Sequence, residues 1–385
     1  MIVHAITPGD HFSPSTGSAI PTVVHGIAGA ARAAGAPAHA VVVARGTYPD
    51  RYPSAVPVEY DARPRPTSWQ RAVDLTVGRL SPARAGRPFL RRHLAPLVAA
   101  QASWPPSTVL AHNLPGLVPL VEGPHTAVLY AHNDLLRTYP RAEAGRALAR
   151  VSAVVCVSDH LAERTRHRLP RGLRDRVVTV HHGVDGDVFF PAGRPVGEPR
   201  PDGRVRLAFV GRVVPEKGPD VLLDAVGLLG RDDVRVAVIG SAGFDPAAPL
   251  TAYETRLRQV ARRSRAWVEF RPFVDRRALP ALLREQDVVV VPSRWAEPST
   301  LTVPEAQATG LPVVASRVGG IPEVAAVPEL LVPPDDPPAL AEALAGLLDD
   351  PPRRAEVGAR GRAYALRNGW AETWRTLERV LAERS

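Results

Sequence analysis

The chain has 385 residues, 45% hydrophobic, 23% charged and only 5% aromatic. At roughly 150 residues per domain that is two sizeable cores, built mostly from Val, Leu and Ala. No apolar run approaches the ~20 residues of a membrane span, and the single cysteine, Cys156, excludes an intramolecular disulfide framework and a Cys-based zinc site. The opening Met1-Ile-Val-His-Ala-Ile-Thr-Pro8 lacks a basic region and a long apolar stretch, so no signal peptide is expected. A reduced, cytoplasmic protein is the default expectation. The formal charge is +9, yet among 48 Lys and Arg residues only Lys217 is lysine. With 41 Pro and 30 Gly, this arginine richness reads as compositional bias and does not call for a nucleic-acid partner. It makes Lys217 informative, because lysine is a compact point charge on a flexible stem and arginine is not.

In chain order, short apolar runs predict strands at Ile2–Ile6, His39–Val43, Thr108–Ala111, Thr126–Tyr130, Ala153–Val157 and Val177–Val180. Helical patterns lie between them, among them Thr22–Ala34, Leu90–Gln101 and Asp159–His167. Pro191–Gly203 breaks the pattern and reads as an interdomain linker. The alternation then restarts with strands Arg206–Gly211, Arg235–Gly240, Val268–Phe270, Val288–Pro292 and Val313–Ser316. Helices Pro219–Leu229, Leu250–Ser264, Arg277–Gln286 and Thr302–Thr309 separate them, and a last helix near Ala371–Glu383 carries Trp374. Continuous apolar strands between helices predict parallel sheets covered on both faces. Two such series predict two doubly wound α/β domains, residues 1–190 and 204–385, with 191–203 between them and the last helix either staying with the second or returning to the first. Ligands of such sheets bind at the carboxyl ends of the strands, so a cleft between the domains is the expected site.

Five stretches carry candidate chemistry. Gly211-Arg212-Val-Val-Pro-Glu216-Lys217-Gly218 follows the first strand of the second series, and two cations on one glycine-bounded loop can clamp a diphosphate. It is not a Walker A loop. Glu297-Pro-Ser-Thr-Leu-Thr-Val-Pro-Glu305 sets two carboxylates eight residues apart. The plain structural role for Glu305 is a capping box, Thr302-x-x-Glu305. Tyr130-Ala-His132-Asn133-Asp134 and His112-Asn113 each end a strand, so two His-Asn pairs are expected side by side in a polar pocket. Phe12-Ser-Pro-Ser-Thr-Gly17-Ser joins the first strand to the first helix without the G-x-G-x-x-G of a dinucleotide site. His160, Glu163 and His167 share a helical face, which reads as a solvated charged surface rather than a metal site. Cys156 sits in an apolar strand and reads as an inert core thiol.

In combination, Gly211-Arg212-x3-Glu216-Lys217-Gly218, Glu297-x7-Glu305 and Ala315-Ser-Arg-Val-Gly319-Gly320-Ile-Pro-Glu323 resemble the retaining, GT-B-fold glycosyltransferases of family 4 over nearly the whole chain. The resemblance implies an α/β GT-B architecture, two doubly wound Rossmann-like domains facing across a cleft. It also implies transfer of a sugar from a nucleotide-diphosphate sugar, UDP- or GDP-linked, with no separate cofactor and no metal. Arg212 and Lys217 would hold the diphosphate, with Gly211 beside them. Glu305 would bind the ribose, and Glu297, with Ser299, Thr300 and Leu301, the donor sugar. His132 would meet the sugar near the reacting carbon and Gly17 would lie near the phosphates. The loop from Arg271 to Val274 would border the base, and His112, Asn133 and Asp134 would lie on the acceptor side. Where the family often carries Pro/Gly-Phe-Gly after the first glutamate, this chain has Pro298-Ser299-Thr300.

The implied acceptor is a soluble small molecule of natural-product, thiol or cofactor biosynthesis. The alternatives are a lipid or cell-wall acceptor at a membrane surface and a same-fold epimerase. Residues Arg63–Arg92 bear on the first alternative, since eight Arg against one Asp place most of the net charge there and could give a weak membrane contact. No spacing rule reports the oligomeric state.

Overall fold

A computed structural model of the chain describes residues 1–80, 87–194 and 196–384. It divides into two units, one of Met1–His182 with Trp370–Ser385 and the other of Gly183–Gly369.

The first unit holds seven parallel strands: β1 (Ile2–Ala5), β2 (Ala40–Ala44), β3 (Val56–Tyr60), β4 (Thr108–His112), β5 (Thr126–Ala131), β6 (Val151–Cys156) and β7 (Val177–Thr179). Their order is β3-β2-β1-β4-β5-β6-β7. The central strands are apolar and buried along their length, as in the Ala-Val-Val-Val-Ala of β2, because helices cover both faces. The edge strand β3, Val-Pro-Val-Glu-Tyr, is mostly exposed and was not expected from the sequence. Pro57 is tolerated there because an edge strand need not donate from every residue. The helix Ala19–Ala33 follows β1, and the helix Trp370–Arg384 groups with this unit. A Cβ on Gly26 would sit 2.2 Å from the Trp370 ring, so the first helix can meet the last only through a glycine. The buried rings of Trp374 and His39 lie edge to face with centroids 5.2 Å apart.

The second unit holds six parallel strands: β8 (Val205–Val210), β9 (Val234–Ile239), β10 (Trp267–Arg271), β11 (Val288–Val291), β12 (Val313–Ser316) and β13 (Leu331–Val332). The order β10-β9-β8-β11-β12-β13 reverses direction between β8 and β11, the switch point where doubly wound sheets bind ligands. The two-residue β13 is too short to be read from a pattern. Residues 183–203 group with this unit. They are held by buried Asp287, whose carboxylate takes Arg194, Arg200 Nε at 2.9 Å and the Arg206 backbone N–H at 2.9 Å.

Of the basic stretch 63–92, residues 81–86 lie outside the described residues. The rest is partly structural. Asp74 accepts the backbone N–H groups of Phe89 and Leu90 at 3.0 and 2.9 Å, and Arg87 pairs with buried Glu143 at 2.9 Å while lying 3.6 Å over the Tyr139 ring. Trp69 is 69% exposed. Among the described residues, no helix is long and apolar enough to cross a membrane.

The first sheet also buries histidines. Burial holds His4, His112 and His132 well below the usual imidazole range, with neighbouring imidazoles adding to the effect. Burial pushes His39 down to about 4 and, with His181 beside it, His182 to about 3. In the unfolded chain these rings take a proton near pH 6.5. The unfolded state therefore binds more protons below that pH, and stability falls as pH drops from about 6.5 toward 4. Each such ring steepens the loss by up to ~1.4 kcal/mol per pH unit. Calorimetry between pH 7.5 and 4.5 should show Tm holding above about pH 6.5 and falling steadily below it; a flat Tm down to pH 5 would show that these rings are not held neutral.

Candidate functional site

The second unit gathers most of the expected donor-side residues at the carboxyl ends of β8 and β11. Strand β8 ends at Val210, and Gly211 turns the chain with φ 154°. Gly240, at the end of β9 with φ 136°, packs so closely that a Cβ there would lie 1.9 Å from the Gly211 carbonyl oxygen. The chain then runs through a single turn, Pro215–Lys217, to Gly218. At Gly218 φ is 67°, and a Cβ would meet the Pro292 carbonyl oxygen at 2.0 Å. Only glycine satisfies both the left-handed backbone and that approach. The loop is thereby seated against the end of β11, and the Arg294 backbone N–H donates to the Glu216 carbonyl at 2.9 Å. Arg294 itself pairs with Asp220 and Asp335, both at 2.6 Å.

This seating joins the two expected motifs. Lys217 Nζ donates to Glu297 Oε2 at 2.7 Å. The Glu297 side chain is 2% exposed and that of Lys217 23%. Ser293 Oγ donates to the other carboxylate oxygen. The backbone of Glu297 is clamped as well, since its carbonyl accepts the Gly320 N–H at 2.7 Å. A Cβ on Gly319, where φ is 61°, would come within 2.2 Å of that carbonyl. Arg212 is exposed and makes no ion pair among the described residues. One cation of the loop thus bridges to a buried carboxylate while staying partly exposed, and the other is exposed to solvent.

Glu305 departs from the capping-box expectation. Thr302 is the first residue of the helix Thr302–Ala308, and the N-cap residue, Leu301, makes no side-chain cap. Thr302 Oγ1 donates to the Val210 carbonyl at 3.4 Å. Glu305 instead pairs with Arg276. Burial raises its pKa and the Arg276 guanidinium opposes the rise. Arg276 lies in the loop after β10, a few residues beyond Val274, so this pair ties the expected base-side loop to the expected ribose-side helix. Phe273 N–H donates to Ser241 Oγ at 3.0 Å. Ser299 Oγ is buried without a hydrogen-bond partner and Thr300 is buried, so Ser299 keeps an unused polar atom beside Glu297. Sequence reasoning did not single out Ser293, Arg276 and Arg294. Their only signal was position after a strand end.

In the first unit, His132 follows β5 and is 8% exposed. Its Nε2 lies 2.9 Å from His112 Nδ1, and its Nδ1 has no partner. Its backbone N–H donates to Asn113 Oδ1 at 2.8 Å. Asn113, at φ 59°, is thus the residue that seats His132. It was noted only as half of a His-Asn pair. The two pairs are side by side as expected. Asp134 is held by Arg164 at 2.8 Å, and Asn133 and Gly17 are exposed. On the helix Asp159–Arg168, His167 pairs with Glu163 at 2.9 Å on an exposed face. Burial pushes the Cys156 thiol up to about 11, as suits an unreactive core cysteine.

Two family profiles divide the chain much as its sheets do. The one described as Glycosyltransferase Family 4 matches residues 20–188, and the one described as Glycosyl transferases group 1 matches residues 204–350. Among curated proteins, D-inositol 3-phosphate glycosyltransferase 2 of Catenulispora acidiphila is 43% identical over 213 residues, 51% of this chain and 48% of its own. D-inositol 3-phosphate glycosyltransferase of Xylanimonas cellulosilytica is 37% identical over 283 residues, 69% of this chain and 66% of its own. The matched part thus spans about half to two thirds of these relatives. Among solved structures, Anabaena HepE in complex with UDP and glucose superposes with a TM-score of 0.71 at 17% identity, covering 99% of both chains. With these matches over both sheets and the glycine-bounded Arg212/Lys217 loop and paired glutamates in place, the chain belongs to glycosyltransferase family 4 and has the GT-B fold of two Rossmann-like domains.

Proposed function

We propose that this chain transfers a sugar, with retention of anomeric configuration, from a nucleotide-diphosphate sugar to a small polar acceptor. The second unit takes the donor and the first the acceptor. The observation that carries the reading is the Gly211–Gly218 loop at the sheet's switch point. It presents Arg212, which makes no ion pair among the described residues, while Lys217 bridges from the same loop to buried Glu297. Arg212 and Lys217 stabilise the charge that develops on the leaving diphosphate, so the reaction needs no metal. Glu297 accepts from sugar hydroxyls, with Ser299 Oγ, Thr300 and Leu301 beside it. Glu305 accepts from the ribose hydroxyls and the loop to Val274 borders the base. His132 offers its partnerless Nδ1 to the sugar. No carboxylate stands free as a nucleophile on this reading, so displacement proceeds on the front face, with the leaving phosphate taking the acceptor's proton.

The acceptor belongs to the class of small phosphorylated polyols, as the names of the inositol-phosphate relatives suggest, in cytoplasmic small-molecule biosynthesis. The described arginines between 63 and 92 give such an anionic acceptor an attractive field. A membrane-surface acceptor is the alternative, favoured by exposed Trp69 among those arginines. Flotation with anionic liposomes at low and moderate salt separates the two, and strong salt-sensitive binding would favour the alternative.

Thermal stabilisation by UDP, GDP, ADP and dTDP at equal concentration is the first measurement. UDP or GDP should raise Tm most, equally with and without EDTA. No response to any of the four would overturn the donor-site assignment. Lys217→Ala should lower kcat/KM by ~10²-fold or more, and it should also lower Tm because it leaves Glu297 buried and unpaired. The double variant Lys217→Ala/Glu297→Gln should regain Tm without regaining turnover; recovered turnover would reduce the pair to a structural one. In Glu305→Gln the relief of a buried charge offsets the unpairing of Arg276. Tm should therefore move little while nucleotide affinity falls about tenfold or more. Intact affinity with a collapsed Tm would instead make Glu305 a packing residue.

A further inference from the structure

Four imidazoles cross the first sheet as a ladder. His39 Nδ1 lies 2.9 Å from His4 Nε2, His4 Nδ1 lies 2.9 Å from His112 Nε2, and His112 Nδ1 lies 2.9 Å from His132 Nε2. The register builds it. His4 pairs with Val41 on β2 and Leu110 on β4, and His112 pairs with Tyr130 on β5. Each histidine therefore lies two residues beyond the position opposite its predecessor, on the same face of the sheet. Strands ~4.8 Å apart bring such diagonal neighbours within ring contact. The ring of Tyr130 stacks on His112 and His132, and His182 stacks on His132 with centroids 5.5 Å apart. Both end nitrogens, His39 Nε2 and His132 Nδ1, are buried without partners among the described residues.

We propose that His39, His4 and His112 are positioning residues that share one tautomer with His132 and so decide whether His132 presents an N–H or a lone pair at Nδ1. The proposal rests on the reading above for the claim that a sugar hydroxyl meets that nitrogen. The tautomer argument does not depend on it. A neutral imidazole carries one proton, and each of the three bonds needs one. If His39 carries its proton on Nδ1, His4 Nε2 must be bare and its proton must sit on Nδ1. The same holds at His112 and then at His132. If His39 carries its proton on Nε2, every ring does. No mixed state keeps all three bonds. Switching moves three protons across the three bonds, removes one from His132 Nδ1 to water and returns one from water to His39 Nε2, so all four rings stay neutral. That neutrality agrees with the burial that keeps each ring from taking a second proton. A lone buried histidine could hold either tautomer independently, and this ladder cannot.

The test uses the full chain labelled with 15N-histidine, in which long-range proton–nitrogen spectra report which nitrogen of each ring carries hydrogen. His39, His4, His112 and His132 should show one common tautomer ratio; two neighbours in opposite tautomers would overturn the proposal without any variant. His39→Leu removes the far end, and the ratio at His132 should change about fivefold or more together with those at His4 and His112. An unchanged His132 in a folded His39→Leu protein would also overturn it. With the nucleotide sugar indicated by the nucleotide screen, His39→Leu should lower kcat about tenfold and leave KM for that sugar nucleotide within about twofold. An altered His132 ratio with unaltered kcat would overturn the claim that the tautomer acts on the sugar. Loss of all nucleotide stabilisation in the wild-type chain would instead indict the donor-site reading, because the four-ring spectrum needs no ligand.

Discussion

A buried carboxylate must find a cation or lose its charge, and in the second unit Glu297 meets that demand with the chain's one lysine. The cost of desolvating an ion in a protein interior is several kcal/mol, so the Lys217–Glu297 contact constrains everything around it. It holds the loop after β8 against the loop after β11. It leaves Arg212 exposed on the same loop, with Lys217 still partly open beside it. Ser293 Oγ completes the carboxylate's hydrogen bonding, which an apolar neighbour could not do. Arg276 and Glu305 repeat the arrangement between the loop after β10 and the helix that follows β11. The candidate donor site is thus built on two acid–base pairs in the segments that follow β8, β10 and β11, with both acids deeply buried and both cations partly exposed.

Backbone proximity makes those pairs possible. Gly218, Gly240 and Gly319 each place a backbone carbonyl about 2 Å from where a Cβ would stand. These are the points at which adjacent strand ends converge. A side chain at any of them would push apart the loops that carry Lys217 and Glu297. The glycines after the strands therefore set how closely the polar groups can gather.

The two units solve the placement of polar groups differently. The second uses charge neutralisation. The first sheet instead carries a diagonal row of imidazoles, from His39 just before β2 to His132 just after β5, that hydrogen-bond one to the next. Neutral rings pay little desolvation cost as long as their nitrogens are bonded, so His4 and His112 can be fully buried where a lysine or an unpaired aspartate could not. The Asn113 side chain locks the last ring through its backbone N–H.

The sequence by itself determined the periodicity, and with it both parallel sheets and eleven of their thirteen strands. Strand β3 escaped because its Val-Pro-Val-Glu-Tyr run is broken by proline and glutamate and mostly exposed, and β13 because two residues make no pattern. Spacing also singled out Arg212, Lys217, Glu297, Glu305, His112 and His132, because loops after strands have characteristic lengths and unusual residues in them stand out. What only the tertiary structure decided was partnership. That Lys217 meets Glu297, that Glu305 meets Arg276 instead of capping its own helix, and that His39 and His4 join His112 and His132 all follow from strand order and register. Those are set by packing between segments far apart in the chain, and a linear pattern carries no information about which strand lies beside which.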